Sequence, residues 1–248
     1  MKIIENKIEI EVLTGLRIGG EKESFEVGGL DNTVIKVVYD KKLFNGNERL
    51  VPIIPGSSLK GRMSMLLEKE YNVPYLDDDE KLKKGEKGMP IRSKEDLTKT
   101  KKKWEELSED AKRILSLFRS FDGVKLIFSD LLPSKETLEM WEELEDNELT
   151  YDFGTEVKTE NVINRIEGKA KDPRKMERVV KGSKFIGTIT LIYENEEDMK
   201  KNQNKDLEIL EKGCELIAKT YLGGSGSRGY GRVKIKFNDK EFKPSNFE

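Results

Sequence analysis

The stretch KFIGTITLIYENEEDMKKNQNKDLEILEKGCELIAKTYLGGSGSRGYGRVKIKF, residues 184–237, decides the fold. Its first ten residues are rich in β-branched and aromatic side chains, which predicts a strand over 184–193. Within residues 206–222 apolar side chains recur every three or four positions, which predicts an amphipathic helix. Residues 232–237 alternate basic and apolar side chains, which predicts another strand. The stretch is therefore one strand–helix–strand unit with a glycine-rich loop before its last strand.

A second unit of the same order precedes it. Residues 7–14 alternate as a half-buried strand, residues 58–71 have a helical apolar pattern, and residues 123–132 are β-rich. Two such units in succession are the βαββαβ order of an α+β fold with a ferredoxin-like or RRM-like core. We predict one domain over 1–248, interrupted by long insertions. The core is placed at about 1–18, 55–71, 122–132 and 184–240, with a charged, mostly helical insertion at 72–121 and another insertion at 133–183.

Composition excludes several kinds of site and location. The chain of 248 residues has no run of about 18 apolar residues, so we expect no membrane helix, and its N-terminus does not resemble a signal peptide. The single cysteine, Cys214, cannot form an internal disulfide, which favours a reducing cytoplasm. The absence of histidine excludes histidine acid–base catalysis and, with one cysteine, leaves no zinc site to expect.

The formal net charge of −2 hides a strong segregation of charge along the chain. Residues 165–184 contain eight basic and three acidic side chains, whereas residues 136–148 contain seven acidic side chains and no basic one. A local basic stripe is able to bind phosphate on a molecule that is slightly acidic as a whole.

Asp31 is the candidate catalytic and metal-binding residue. It follows two glycine pairs, Gly19-Gly20 and Gly28-Gly29, in a segment that leaves the first strand. Paired glycines allow tight turns or a close approach to a ligand. A lone carboxylate would bind Mg²⁺ only if a substrate phosphate completes the coordination. On spacing alone the alternative is an Asx turn, in which the carboxylate bonds its own backbone.

Three further segments are candidates for anion binding. The segment PGSSLKGR, residues 55–62, opens a helix with two hydroxyls and two cations, although an ordinary serine N-cap would give the same pattern. Residues 156–184 interleave basic and apolar side chains and predict a hairpin that lies along a nucleic-acid backbone or wedges between bases, or else a solvated surface. The glycine-rich residues 223–232 carry amides and Arg228 that would follow a phosphate chain, unless they are only a flexible connector.

Five motifs together resemble the RAMP superfamily of CRISPR effector proteins, and specifically the repeated backbone subunit of type III-A (Csm) complexes. They occur in the family's order, and the Asp31 segment together with EVKTEN and MERV is the most specific part. The motifs are GLRIGG at 15–20, GGLDNTVIK at 28–36, PGSSLKGR at 55–62, the stretch from EVKTEN to MERV at 156–179, and YLGGSGSRGYG at 221–231.

The resemblance implies a guide-binding subunit that stacks with copies of itself and other subunits along CRISPR RNA and cleaves complementary target RNA. It implies a catalytic loop at 19–36, with Asp31 supporting cleavage with Mg²⁺ or another divalent cation, and a lid and thumb hairpin at 133–183. Arg17 stands where the family often has histidine, and arginine does not shuttle protons at neutral pH. The residues expected to contact RNA are Arg17, Ser57, Ser58, Lys60, Arg62, Arg165, Lys169, Arg174, Arg178, Gly223, Gly224, Gly226 and Arg228.

Three other functions stay open at this stage. The subunit would be a scaffold that holds the guide without cutting, or a stand-alone RAMP endoribonuclease that processes precursor guide RNA. A third alternative is a ferredoxin-like regulatory or oligomerisation domain whose charged insertions are solvated.

Overall fold

A computed structural model gives the fold. The structure describes residues 1–19, 33–39, 48–76, 91, 96, 104–119, 125–163 and 170–245. Its strands are β1 (Lys2–Val12), β2 (Lys36–Tyr39), β3 (Arg49–Pro52), β4 (Lys125–Phe128), β5 (Leu132–Pro133), β6 (Thr155–Ile163), β7 (Ala170–Val179), β8 (Lys184–Tyr193), β9 (Val233–Phe237) and β10 (Lys240–Phe242). Its α-helices are α1 (Gly56–Glu70), α2 (Glu109–Arg119), α3 (Lys135–Asp146) and α4 (Glu196–Lys219).

The main sheet has the order β10-β9-β1-β8-β4, and β5 also pairs with β8. The register pairs Ile10 with Ile235, and it pairs Leu126 with Leu191 across antiparallel strands. Along the chain, the core elements follow one another as β1, α1, β4, β8, α4 and β9. Across the sheet, the four core strands lie in the order β9, β1, β8, β4, so the fourth strand of the chain is next to the first, and the third lies between the first and the second. The α+β class and the ferredoxin-like order predicted from the sequence are confirmed.

Two small antiparallel sheets lie outside the predicted core segments, one within residues 19–54 and one within the insertion at 133–183. Strands β2 and β3 pair, and β6 pairs with β7 from Thr155 opposite Val179 to Ile163 opposite Ala170. The second pair, called the hairpin below, has a register shift between Glu160 and Val162. A hairpin was predicted for this basic segment because apolar and charged side chains alternate along it.

The chain divides into two compact units. The first contains Met1–Asn6, Lys60–Phe128 and Ile189–Ile217, with a core that includes Met63, Ile114, Leu191 and Leu210. A buried network lies beside this core: the fully buried carboxylate of Asp206 accepts two hydrogen bonds from Arg113, at 2.5 and 2.6 Å, and one from the Tyr193 hydroxyl at 2.8 Å. Burial and the Asp206 carboxylate raise the pKa of Tyr193.

The second unit contains Lys7–Leu59, Ser129–Thr188 and Ala218–Glu248. Its core is centred on Trp141, whose ring centroid is 5.5 Å from that of Phe153 and 6.1 Å from that of Phe185. The indole N–H donates to Ser183 Oγ at 2.9 Å, so the one polar atom of this buried ring is satisfied. The predicted domain boundaries stay predictions.

Helix α4 begins ten residues before its predicted start. The predicted range was 206–222, whereas the helix spans Glu196–Lys219. Asn195 precedes it and accepts the amide of Asp198 through Oδ1 at 2.8 Å, as an N-cap does. The first turns are charged and exposed, so they lack the apolar period by which the sequence marks a helix. Within the described residues, no helix combines the length and hydropathy needed to cross a membrane.

Candidate nucleic-acid interface

Residues 15–19, which follow β1, connect the candidate segments and are called the linking segment below. Leu16 exchanges two backbone hydrogen bonds with Val179 at the base of the hairpin, at 3.2 and 2.7 Å. The carbonyl of Gly15 accepts the amide of Gly231 at 3.1 Å, and the carbonyl of Arg17 accepts the amide of Gly224 at 2.7 Å. The hairpin and the glycine-rich loop therefore lie on the same short piece of backbone.

The same linking segment also holds both ends of the segment that carries Asp31. Gly19 and Val34 form an antiparallel bridge, and the amide of Ile35 donates to the carbonyl of Ile18 at 3.1 Å. Asp31 itself lies outside the described residues, three positions before Val34 in the chain. The described residues nearest to Asp31 on both sides, Gly19 and Val34, are therefore paired beside the hairpin and the glycine-rich loop.

Arg17 lies next to this point and next to the glycine-rich loop. A Cβ built on Gly224 would lie 3.5 Å from Nη1 of Arg17, and one built on Gly19 would lie 3.8 Å from Nη2. At Gly223, with φ +76°, a Cβ would lie 2.3 Å from the Arg17 carbonyl oxygen. Only glycine allows the loop backbone to approach Arg17 this closely.

Much of the backbone in the glycine-rich loop is already bonded within the protein. The amides of Gly224 and Gly231 donate to the linking segment, and those of Arg228 and Gly229 donate to Ser225 and Gly226. The expectation that amides from Gly223 to Gly231 bind phosphate therefore does not hold for these four in this conformation. Their bonds instead hold the loop backbone that carries Arg228.

Arg228 and Arg178 both have acidic partners on the hairpin. Arg228 is 56% exposed and its Nη1 lies 3.1 Å from Glu160, whereas the half-buried Arg178 donates from Nε to Glu156 at 2.7 Å. The Arg178 side chain also crosses Gly15, where a Cβ would lie 2.2 Å from its Cδ. Phosphate binding by either arginine has to compete with a carboxylate.

The buried ring of Tyr230 organises this charged cluster. Its hydroxyl donates to Glu160 at 2.8 Å, with Lys158 Nζ 4.7 Å and Arg178 Cζ 5.1 Å from the ring centroid. Burial, together with the acceptor Glu160, raises the pKa of Tyr230 to about 12. The pKa of Glu160 is lowered, mainly by the hydrogen bond from Tyr230 and also by the nearby charges of Arg228 and Lys158, although partial burial opposes this shift. Glu160 is therefore ionised at neutral pH and holds Arg228 in place.

Helix α1 carries the second group of predicted contacts. The amide of Gly56 at its first position donates to the carboxylate of Asp130 at 2.8 Å, so that donor is already satisfied. Ser57 is exposed, and the amide of Ser58 donates to the Pro55 carbonyl at 3.0 Å. An anion at this helix start would contact the Ser57 hydroxyl more readily than the Gly56 amide.

Lys60, one turn further along α1, lies in a cationic setting. Its Nζ donates to the carbonyl of Leu126 at 3.2 Å. Burial and the neighbouring Arg119 guanidinium lower the pKa of Lys60. Arg119 in turn donates to the buried carboxylate of Glu68 at 2.6 Å. A bound phosphate would offset the repulsion between the two cations, because a nearby negative charge favours the charged form of Lys60.

The structure places the predicted RNA contacts in two groups. Around the linking segment it brings together Arg17, Arg178, Gly223, Gly224, Gly226 and Arg228. On α1 it places Ser57, Ser58, Lys60 and Arg62, and Arg174 is exposed on β7. Asp31, Arg165 and Lys169 lie outside the described residues.

Sequence reasoning assigned no role to Glu177 or Lys36. Glu177 is a fully buried charge in the second half of the hairpin, and Lys36 is its partner from β2 at 2.7 Å. Both lie within motifs that carry the family resemblance, which was the available signal. Strand alternation alone did not reveal a buried acid, because it treats charged side chains as outward-facing.

A divalent cation would need acidic side chains as ligands. Across the part of the chain that the structure describes, no three acidic, cysteine or histidine side chains lie together as metal ligands. Asp31 alone fits Mg²⁺ only in the way that Mg²⁺ binds with one carboxylate, water and substrate phosphate.

Comparison with known proteins gives one family throughout. The sequence matches the family model of the RAMP superfamily over residues 9–234. It is 35% identical over 229 residues to the CRISPR system Cms endoribonuclease Csm3 of Methanothermobacter thermautotrophicus, covering 92% of this chain and 81% of that protein. It is 34% identical over 238 residues to the Streptococcus thermophilus protein of the same name, covering 94% and 87%.

Two solved structures share the fold. One is a chain of a type III-B Cmr-beta complex bound to cognate target RNA, with a TM-score of 0.50 and 15% identity, covering 98% of this chain and 61% of that chain. The other belongs to a type IV-B CRISPR complex, with a TM-score of 0.50 and 14% identity, covering 99% and 92%. At these identities the likeness concerns the fold.

Proposed function

The chain belongs to the RAMP superfamily, and on that premise we propose that it is a backbone subunit of a type III-A CRISPR effector that binds guide RNA and cleaves complementary target RNA. The observation that carries this proposal is the identity of 34–35% with Csm3 endoribonucleases over more than nine-tenths of the chain. Copies of the subunit would bind CRISPR RNA side by side with the other subunits of the complex, and base pairing would select the target.

The guide backbone would be bound by the two groups of side chains described above. Lys60 and Arg62, with Ser57 and Ser58, would contact phosphates along α1. Around the linking segment, Arg17 and Arg228 would contact phosphates beside the glycine-rich loop. The hairpin would present Arg174, and Arg165 and Lys169, which lie in the sequence between its two strands, would be further contacts. These contacts read the backbone of RNA, not its bases.

Asp31 would act on the target. The position of Val34, three residues after Asp31 and close to the hairpin base and Arg17, supports this role. Asp31 would hold Mg²⁺ or another divalent cation, which when bound supplies charge stabilisation at the cleaved phosphate. Arg17 would add a fixed positive charge there and no proton transfer. The substrate's own 2′-OH and a water molecule are both suitable nucleophiles.

The test is Asp31→Ala in the assembled complex, with Asp239→Ala as the matched control, since Asp239 is an exposed acid in the turn after β9. We expect loss of target cleavage in Asp31→Ala, with guide binding and assembly unchanged, and wild-type cleavage in the control. Omitting Mg²⁺ and adding a chelator should also stop wild-type cleavage. Equal product bands from both variants would leave the guide-binding scaffold as the function.

A further inference from the structure

We propose that Glu177 is a positioning residue for RNA cleavage, whose buried carboxylate ties the downstream end of the Asp31 segment to the base of the hairpin. The inference rests on the proposed function, because positioning has a measurable consequence only if Asp31 acts on RNA. Its basis is a hydrogen-bond network in the second unit that is centred on the Glu177 carboxylate.

The Glu177 side chain has three donors and is 1% exposed. Oε2 accepts the backbone amide of Val34 at 2.9 Å. Oε1 accepts the hydroxyl of Thr155 at 2.9 Å and the ammonium of Lys36 at 2.7 Å. One carboxylate on β7 therefore binds β6, the start of β2 and the residue three positions after Asp31.

Lys36 extends the network to the turn before the hairpin. Its Nζ lies 2.5 Å from Oδ2 of Asp152, and Oδ1 of Asp152 accepts the amide of Phe153 at 2.8 Å. Burial opposes the charge on Lys36, but its two carboxylate partners outweigh it and raise the pKa of Lys36. The two residues that flank Ile35 are thus both held by hairpin residues.

Val34 is also fixed from the opposite side. It bridges Gly19, and the next amide, that of Ile35, donates to the linking segment. The backbone three residues from Asp31 is therefore held between the linking segment and Glu177. Because the hairpin carries predicted RNA contacts, Glu177 joins the part that binds RNA to the part that would cut it.

A buried ion pair adds little net stability compared with well-packed apolar side chains. A carboxylate, unlike an apolar side chain, accepts directional hydrogen bonds, and the bond from Val34 fixes the position of that amide. Catalysis is sensitive to such placement, since a shift of about 1 Å in a reacting group costs on the order of 100-fold in rate. This sensitivity gives Glu177 a measurable effect on cleavage without contact to RNA.

The experiment compares Glu177→Gln with Asp206→Asn in the assembled complex. Glutamine has nearly the same size as glutamate, but one carboxylate oxygen is replaced by an N–H₂ group. This group is a donor and therefore cannot accept the hydrogen bonds that Val34, Thr155 and Lys36 donate to Glu177. Asp206→Asn is the matched control, because Asp206 is fully buried and accepts from Arg113 and Tyr193 in the other unit. We expect Glu177→Gln to lower the single-turnover cleavage rate at saturating target by about 10- to 100-fold, with target affinity unchanged. Asp206→Asn should stay within about threefold of wild type.

Hydrogen exchange in the free chain gives a second readout that needs no cleavage. The amide of Val34 should exchange about tenfold faster or more in Glu177→Gln, because its acceptor is weakened, and should be unchanged in Asp206→Asn.

Wild-type cleavage by Glu177→Gln overturns the inference, and so do equal losses in the two variants, which would indicate general destabilisation. If Glu177→Gln does not assemble, Thr155→Val decides, since it removes one donor to the same carboxylate. Cleavage by Thr155→Val at the wild-type rate also overturns the inference. Unchanged cleavage by Asp31→Ala would instead refute the proposed function, so the two failures are distinguishable.

Discussion

Replacing Gly231 with alanine tests how the glycine-rich loop is built, and Gly229→Ala is its matched control. Both glycines have left-handed backbones, with φ +69° at Gly231 and +84° at Gly229. At Gly229 a Cβ would have no heavy atom within 4 Å. At Gly231 a Cβ would lie 1.9 Å from the carbonyl oxygen of Leu222. The two substitutions share the backbone strain and differ in the clash.

The magnitude follows from the bonds around Leu222. A left-handed backbone costs a residue with a side chain about 1–2 kcal/mol. At Gly231 the displaced carbonyl also disturbs two hydrogen bonds, from the Leu222 amide to Gly231 at 2.8 Å and from the Gly231 amide to Gly15 at 3.1 Å. Each bond contributes about 0.5–1.5 kcal/mol. We expect Gly231→Ala to lower the free energy of unfolding by about 2–5 kcal/mol, against about 1–2 kcal/mol for Gly229→Ala.

Thermal unfolding of the purified chain measures the difference. For a chain of this size, 1 kcal/mol corresponds to about 2–4 °C, so Gly231→Ala should melt about 2–12 °C below Gly229→Ala. Equal melting temperatures would refute the reasoning, because they would show that the Leu222 contact does not constrain the loop.

Three further predictions concern charge. Glu160→Gln should tighten RNA binding about two- to fivefold, because it releases the exposed Arg228 from its ion pair. The control Glu139→Gln, which removes an ion pair on α3, should leave RNA affinity unchanged. Unchanged affinity in Glu160→Gln would show that the Arg228–Glu160 pair does not compete with phosphate. If about five phosphates are contacted per subunit, log K for RNA should fall with log salt at a slope of roughly −3.5, and a flat response would contradict the phosphate contacts. Burial alone would raise the pKa of Asp152, but the hydrogen bonds from Lys36 and from the Phe153 amide lower that pKa overall. The ionised Asp152 therefore contributes fully to the stability of the fold above about pH 4, and this contribution is lost as the pH falls through the folded-state pKa. Urea unfolding below about pH 4 should therefore show a shallower loss of stability in Asp152→Asn than in wild type, and identical slopes would remove Asp152 from the network.

The sequence predicts the elements whose apolar side chains repeat regularly. The strand at 184–193 and the helix face with Leu210, Cys214 and Ile217 are found as predicted, because each buries one side against a core. The sequence pattern does not predict the start of α4, because its first turns are charged and lack regularly spaced apolar residues; this end of the helix is capped by Asn195. The sequence pattern also does not reveal the buried acid Asp206, because its partner Arg113 is 93 positions away in the chain.

The candidate site shows the same limit. Sequence identifies arginines and glycines of the right type, but not which of them are already bonded within the protein. Arg178 with Glu156, the Gly224 amide with Arg17 and the Gly56 amide with Asp130 are all pairs that form only when distant segments meet. Glu177 belongs to this class, because its partner Val34 is 143 positions away.

The bridge between Gly19 and Val34 also pairs the two described residues between which the Asp31 stretch of the sequence, residues 20–32, is placed. A change in the number of residues between two paired positions has a small entropic cost, since doubling the length of a closed loop costs only about 0.6 kcal/mol. Transplanting this stretch between relatives while keeping Gly19, Val34 and Glu177 is therefore a practical way to alter cutting without redesigning the surrounding protein.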